Sequence, residues 1–287
     1  MTKEHILVTG GSGFIGSAIV QSLLNVGYTV SSVSRNSDKS KHAFSLDLTA
    51  SIEVCEFIKK SKPIDVVIHC AAIAHGEMPP KSYTVSEFNS VMINNLVSAF
   101  PEKQPHWIFL SSISVYGDSY CQSPIPMERL PLSSDIYGQG KLCDERALIR
   151  SCNHLDILRL VPTYDSYETK DIKKRIFFPK TDIKLRILPP PQYSFCHINI
   201  VIETVSACLV QTPRLRLHQV GNPLPTSQAD LLKTFPGPSI VIPQIFFKLL
   251  LFLIPNKFRL FGKIRFMIKK LGLSNTYELG VIEVEKH

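Results

Sequence analysis

Apolar residues fall along this chain in two rhythms. Uninterrupted runs such as Ile6–Val8, Val66–Ile68 and Trp107–Leu110 alternate with stretches in which apolar positions recur three and four apart. The first rhythm marks a parallel strand covered on both faces, and the second marks an amphipathic helix. In chain order the pattern predicts a strand from His5, a helix ending near Gly27, a strand over 28–35 and a short strand over 43–48. A helix over 52–60, a strand over 63–72, a helix over 83–100 and a strand over 107–112 follow. After a proline-containing loop come a helix from Tyr137 to about Cys152 and a strand over 155–160. Alternation of this kind implies an α/β fold with a doubly wound parallel sheet and ligands at the carboxyl ends of its strands.

Chemistry enters at His5-Ile-Leu-Val-Thr-Gly-Gly-Ser-Gly-Phe-Ile-Gly16, an apolar strand that runs into a glycine loop and opens a helix. Gly10 lets the chain turn sharply off the strand, Gly13 lets the backbone approach a pyrophosphate, and Gly16 lets the helix pack close to the sheet. The N–H groups of the helix start, around Phe14 and Ile15, then face the phosphates. A strand-to-helix turn with no ligand is the plainer explanation of three glycines, and the position of these three between strand and helix favours a dinucleotide site of Rossmann type.

The end of the second strand bears on the cofactor. A carboxylate there would take the ribose hydroxyls of NAD, whereas this chain has Ser34 and Arg35, which favours the 2′-phosphate of NADP. Lys39 and Lys41 are possible helpers, and an exposed loop cation without a ligand is the alternative for Arg35.

A second constellation follows the fifth strand. Ser111-Ser-Ile-Ser-Val-Tyr-Gly117 closes that strand, and Tyr137-Gly-Gln-Gly-Lys141 opens the next helix. Four residues apart, Tyr137 and Lys141 share a helix face, so the ammonium is expected beside the phenol, lowering a pKa that starts near ~10. Such a phenol exchanges a proton with a substrate oxygen while a serine hydroxyl from the neighbouring strand holds that oxygen.

Composition agrees with a globular enzyme. The 287 residues are 44% apolar, and the opening residues lack the pattern of a signal peptide, so a cytoplasmic protein is expected. Seven scattered cysteines without a CxxC pair point to reduced thiols and to no structural metal. The net charge of +8 is uneven: residues 1–150 hold 13 Lys+Arg against 14 Asp+Glu, and residues 151–287 hold 19 against 10. A phosphorylated ligand or an anionic surface would suit the basic half, and a solvated face is the commoner cause.

The motifs TGGSGFIG, HCAA, SSISVYG and YGQGK, in this order, resemble the extended short-chain dehydrogenases/reductases of the nucleotide-sugar epimerase/dehydratase type. The resemblance implies a dinucleotide-binding domain over 1–165 and a smaller, mostly helical substrate lobe over 166–287, some of whose strands return to the main sheet. It implies that Tyr137 is the catalytic acid/base, Lys141 its modulator and a ligand of the nicotinamide ribose, and Ser112 the catalytic hydroxyl. Asp47 and Leu48 match adenine contacts, and Ala71 and Ala72 match the wall beside the adenosine ribose and phosphates. Asn89 matches an amide facing the cofactor, or equally a buried structural amide, and Pro162 follows the strand that leads to the nicotinamide.

Departures from the family pattern narrow the expected activity. Dehydratases read Thr-Asp-Glu where this chain has Ser112, Ile113 and Ser114, which argues against dehydration, and a Cys used by epimerising reductases is missing at Ser114. The family's diphosphate-binding Arg is absent before Phe195, leaving Arg175 and Arg186 as substitutes or as solvated loop cations. Ser114 remains a candidate substrate contact.

The reading that follows is an NADP-dependent reductase of a nucleotide-activated 4-keto sugar, serving deoxysugar synthesis for a surface polysaccharide. A 4-epimerase with tightly bound NAD is the alternative, and a non-catalytic NADP-binding scaffold is a second one. The resemblance also raises a homodimer through helices 83–100 and 136–152.

The C-terminal stretch stands apart. Ile240–Ile254 is strongly apolar but broken by Pro243 and Lys248, too short for a confident membrane span. Lys257, Arg259, Lys263, Arg265, Lys269 and Lys270 follow, with no acidic residue between Asp230 and Glu278. Packing on the core as a helical lobe is the preferred expectation, peripheral contact with an anionic membrane is the second, and nucleic-acid binding is not expected, for want of an aromatic basic strand surface.

Overall fold

The structure, a computed structural model, describes residues 4–36, 40–73, 83–101, 104–117, 124–133, 135–212, 214–235, 237–254 and 259–284. The dinucleotide half runs β1 (His5–Thr9), α1 (Phe14–Val26), β2 (Thr29–Ser34), β3 (Ala43–Ser45), α2 (Ser51–Lys60), β4 (Val66–His69), α3 (Val85–Ser98), β5 (His106–Ser112), a 3-10 turn (Ile113–Tyr116), α4 (Ile136–Ser151) and β6 (Leu155–Leu160). The remainder runs β7 (Thr163–Tyr164), α5 (Lys170–Lys173), β8 (Lys184–Leu188), β9 (Gln192–Tyr193), β10 (Cys196–His197), α6 (Ile198–Val210), β11 (Leu215–Val220), β12 (Thr226–Ser227), α7 (Gln228–Thr234), β13 (Ser239–Pro243), α8 (Gln244–Leu253), α9 (Arg259–Gly272) and β14 (Gly280–Glu283).

Eight strands form one twisted sheet in the order β14-β11-β6-β5-β4-β1-β2-β3, parallel throughout except where β14 runs against β11. The chain builds outward from β1 to β3, then returns to place β4 on the other side of β1. Strand order therefore reverses between β1 and β4, and the crevice beyond their carboxyl ends is where a doubly wound sheet takes its ligand.

Alternation along the buried strands divides the core between the two faces. Ile6, Val8, Ile68 and Ile108 pack with α1 and α6, and Leu7, Val67, Trp107 and Phe109 pack with residues of α2, α3 and α4. Helix α3 starts where Thr84 and Glu87 exchange hydrogen bonds in a capping box.

Charge is also buried in this sheet. On the α6 face Asp156 accepts from Arg216 Nε at 2.8 Å and is bonded to His106 Nε2 at 2.8 Å and His218 Nε2 at 2.6 Å. Burial alone would raise its pKa, and these hydrogen bonds hold it well below the usual carboxylate range.

The C-terminal stretch packs on β8 through one face of its helices, and part of it is a strand. Ile240–Ile254 is not one apolar element: Pro243 ends β13, which pairs in parallel with β8, and α8 begins at Gln244. Phe247 is the buried anchor of α8, lying with Leu185, Ile187, Ile268 and Leu271, while most of the helix's other large side chains stay exposed. Cations of α9 turn partly inward. Arg265 donates to the Ile254 carbonyl at 2.6 Å, capping α8, and Lys270 lies 3.6 Å from Asp171. Lys257 and the side chains of Arg259 and Lys263 lie outside the described residues. No described helix is long and apolar enough to cross a membrane.

Candidate active site

The glycine loop forms the floor of the crevice between β1 and β4. Gly10 has φ +68°, and a Cβ on it would lie 2.7 Å from the Ala71 backbone nitrogen, so only glycine fits. Thr9 fixes the opposite wall, because its hydroxyl accepts from Ala71 N at 3.2 Å and bonds His69 Nδ1 at 2.8 Å. Helix α1 then starts at Phe14 from Gly13, with no side-chain cap and no acidic residue in its first turn. Its first amides are thus left for an external anion.

A cavity of about 260 Å³ opens above this floor, and Gly10, Gly13, Ser34, Arg35, Leu48, Ala71 and Ala72 all line it. Phe88 and Met92 of α3 close one side, and the Arg35 guanidinium lies 5.7 Å from the Phe88 ring centroid. The cradle, the uncapped helix and the apolar slot fit a nicotinamide dinucleotide. Asp47 lies between two lining residues, Leu46 and Leu48, with its carboxylate accepting from the Thr49 backbone and hydroxyl. Lys39 lies outside the described residues.

Asn89 is not aimed at the cavity. Its amide accepts from Ile73 N at 2.8 Å and donates to Ile73 O at 3.3 Å, so it holds the segment that carries Ala71 and Ala72. Of the two roles the sequence left open, the geometry gives the structural one. Pro162 accepts from Cys196 N at 3.0 Å and so joins the end of β6 to β10.

Ser112, Tyr137 and Lys141 lie where α4 meets the end of β5. Ser112 caps the 3-10 turn, its hydroxyl accepting from Ser114 N and donating to Ser114 Oγ, both at 3.1 Å. Asp135 caps α4 by accepting from Tyr137 N and Gly138 N. The glycines between Tyr137 and Lys141 then allow two close approaches. A Cβ on Gly138 would meet the Ser114 carbonyl oxygen at 2.2 Å, and one on Gly140 would lie 3.2 Å from Ser86 Cα on α3.

Lys141 departs from the arrangement its spacing suggests. Its Nζ donates to the Leu110 carbonyl at 2.9 Å and lies 4.6 Å from the Phe109 ring centroid. Burial lowers its pKa, opposed by Asp144, Cys70 and Glu145. The Tyr137 phenol, in turn, is not lowered: burial, then the negative charges of Asp135 and Asp144, push it up to about 12. The carbonyl at the end of β5 draws the ammonium, while burial sets the sign at the phenol and the two carboxylates add to it. In this state the Tyr137 phenol is protonated.

Beneath the set lies a buried network that the motifs did not reveal. Arg159 of β6 donates from Nε and Nη2 to the Glu145 carboxylate at 3.0 and 2.7 Å, and from Nη1 to Tyr116 Oη at 2.8 Å. Ser111 donates to the same carboxylate, and Tyr116 donates to the Met127 carbonyl. An Arg inside the apolar run Leu155–Leu160 was the available signal, since a buried cation needs a partner.

The two arginines left as diphosphate-binding substitutes or as solvated loop cations differ in burial. Arg175 is buried, donates to the Lys270 carbonyl at 2.9 Å and sits 4.9 Å from the Tyr193 ring centroid. Arg186 is exposed on β8, paired in register with Val241. His197 caps α6 by accepting from Asn199 N, a structural role.

The fold recurs widely among solved structures. The Bordetella bronchiseptica enzyme WbmH, solved in complex with NAD+, superposes with a TM-score of 0.69 at 16% identity, covering 84% of this chain and 86% of that one. UDP-glucose 4-epimerase from Thermotoga maritima, solved with UDP-glucose, gives 0.66 at 17% identity over 96% and 90%. Among curated relatives, UDP-glucose 4-epimerase of Caenorhabditis elegans is 32% identical over 177 residues, covering 50% of this chain and 48% of the relative. The chain thus matches about half the length of the curated relatives. Residues 6–161, more than half of the chain, match the model of the NAD dependent epimerase/dehydratase family. The chain belongs to the NAD dependent epimerase/dehydratase family, as an α/β protein of the extended short-chain dehydrogenase/reductase type.

Proposed function

We propose that this protein is a nucleotide-sugar 4-epimerase. The observation that carries this reading is the close packing of α4, which carries Tyr137 and Lys141, on the turn that Ser112 caps, in a chain whose curated relatives include several named UDP-glucose 4-epimerase. This reverses the order expected from Ser34 and Arg35 alone.

A nicotinamide dinucleotide, when bound, supplies the hydride acceptor and donor. The chain's own residues handle the proton and the geometry. Tyr137 takes the proton of the sugar hydroxyl as the hydride leaves that carbon and returns it as the hydride comes back, so the phenol that burial holds protonated has to give up its own proton before the first half-reaction. Ser112 offers a hydroxyl oriented by the backbone and side chain of Ser114 to hold the same oxygen. Lys141, fixed on the Leu110 carbonyl, brings a positive charge to the end of β5, beneath the helix that carries Tyr137.

Purified protein incubated with UDP-glucose and no added cofactor should yield UDP-galactose by proton NMR, and Tyr137→Phe should abolish the conversion. Absence of the 4-epimer with UDP-glucose and with UDP-N-acetylglucosamine would overturn the reading.

Arg35 favours a second reading. Its guanidinium lines the cavity, where it suits the 2′-phosphate of NADP, and an NADP-dependent reductase of a nucleotide 4-keto sugar would use the same three residues. Stoichiometric oxidation of NADPH by such a ketone distinguishes it.

A further inference from the structure

Helix α8 turns an apolar face to solvent. Around its axis Ile245, Phe246, Leu249, Phe252 and Leu253 share one arc and are 49% to 87% exposed. Phe247, Leu250, Leu251 and Ile254 occupy the other arc and pack on the lobe core. A surface helix ordinarily carries its charges on the solvent side, yet Lys248 is the one charged residue of α8. Strand β13 extends the patch. Its exposed Val241 and Pro243 stand in register with Arg186 and Leu188 of β8, both exposed, and partners across adjacent parallel strands face the same side. Val241, Ile242, Pro243, Ile245, Phe246 and Leu249 line one shallow concavity, so the patch is continuous from strand to helix.

Charge decides what covers it. Arg186 flanks the patch at Val241 and Lys248 flanks it on α8, and residues 231–277 contain no carboxylate. A two-fold contact with a second copy would set these cations against their own images with no acid from that stretch to pair them. An anionic lipid surface meets both the apolar side chains and the cations. At ten residues α8 is about 15 Å long, half of the ~30 Å hydrocarbon core, so it lies in the interface and does not span it.

We propose that the β13–α8 face docks this protein on the surface of a bilayer containing anionic phospholipid, with Phe252, Leu253 and Leu249 entering the boundary between headgroups and acyl chains and Arg186 and Lys248 on the phosphates. The inference is independent of the substrate.

The test is co-sedimentation of the full chain with vesicles of pure phosphatidylcholine and of phosphatidylcholine containing about a third phosphatidylglycerol. Two cations at about a factor of five each predict at least tenfold tighter association with the mixed vesicles. Leu249→Glu with Phe252→Glu should weaken it at least tenfold, and Lys248→Glu severalfold, with nicotinamide dinucleotide affinity unchanged in all. Wild-type protein that stays in the supernatant with both vesicle types overturns the proposal. So does binding that none of the variants reduces, or a stable dimer in sedimentation velocity that the double variant splits, which would assign the face to a second copy.

Discussion

Gly138 stands so close to Ser114 that a Cβ on it would lie 2.2 Å from the Ser114 carbonyl oxygen. The turn that Ser112 caps and the helix that carries Tyr137 therefore meet backbone to backbone, and the relative position of the Ser112 and Tyr137 hydroxyls depends on that contact. Gly138→Ala must push α4 off the turn. Turnover should fall about 100-fold, since small misplacements of reacting groups cost that much. The melting midpoint should also drop, while dinucleotide affinity at the distant Gly10 cradle changes by less than threefold. Steady-state kinetics with calorimetry on the same variant checks this.

The buried pair Glu145–Arg159 supports the same corner from below. Arg159→Met leaves the Glu145 carboxylate in the core without its bidentate partner, and breaking such a pair costs about 3–5 kcal/mol. Adding Glu145→Gln should recover at least half of the loss. Denaturant unfolding of the single and double variants measures both, and a single variant within 1 kcal/mol of wild type, on the order of an ordinary surface change, would refute the role.

How far these features can be read from the sequence depends on the range of the interaction. The strand–glycine–helix unit at His5–Val26 is legible because every constraint on it is local: an apolar run, a turn that only glycine makes, and a helix with a buried stripe. Tyr137 and Lys141 are legible as a pair on one helix, but the direction of the ammonium is not, because the Leu110 carbonyl that takes it lies 31 positions away. The close approaches at Gly138 and Gly140 are not legible either, because Ser114 and Ser86 come from other elements of the chain. Asn89 could be placed but not assigned, since only the fold shows both ends of its amide on Ile73. The division of Ile240–Ile254 is not legible, because an apolar run split by a proline reads equally as strand or helix, and here Pro243 ends a strand and Gln244 opens a helix.

Asp144 gives the site a pH dependence of stability. Burial raises its pKa from 3.8 to about 6, against the opposing effects of Lys141 and a hydrogen bond from Ser90. The folded state therefore binds the proton more tightly than the unfolded chain does. Its favourable contribution is complete below about pH 4, declines as pH rises through the interval up to about 6, and is gone above it. Asp144→Asn should raise the melting midpoint relative to wild type at pH 8, and the gap should close by pH 4. Removing this charge should also bring the Tyr137 phenol down, because Asp144 is one of the two carboxylates that push it up. Melting curves across pH and a tyrosinate titration against Tyr137→Phe test the two halves separately.

Arg35 should govern the choice of cofactor. The guanidinium lies in the cavity beside Phe88, so Arg35→Ala should weaken NADPH at least tenfold and NADH less than threefold. Isothermal titration of both nucleotides against both proteins reads this. Wild-type protein that binds NADPH no more tightly than NADH would remove the support for a reductase.

A 4-epimerase takes the hydride from the reacting carbon of the sugar and returns the same one to it. UDP-glucose carrying deuterium at C4, incubated with catalytic amounts of the purified protein, tests this most directly. UDP-glucose and UDP-galactose should exchange with the deuterium retained at C4 of both, and Tyr137→Phe should give no reaction. Loss of the label from C4, or interconversion undiminished in Tyr137→Phe, would contradict it.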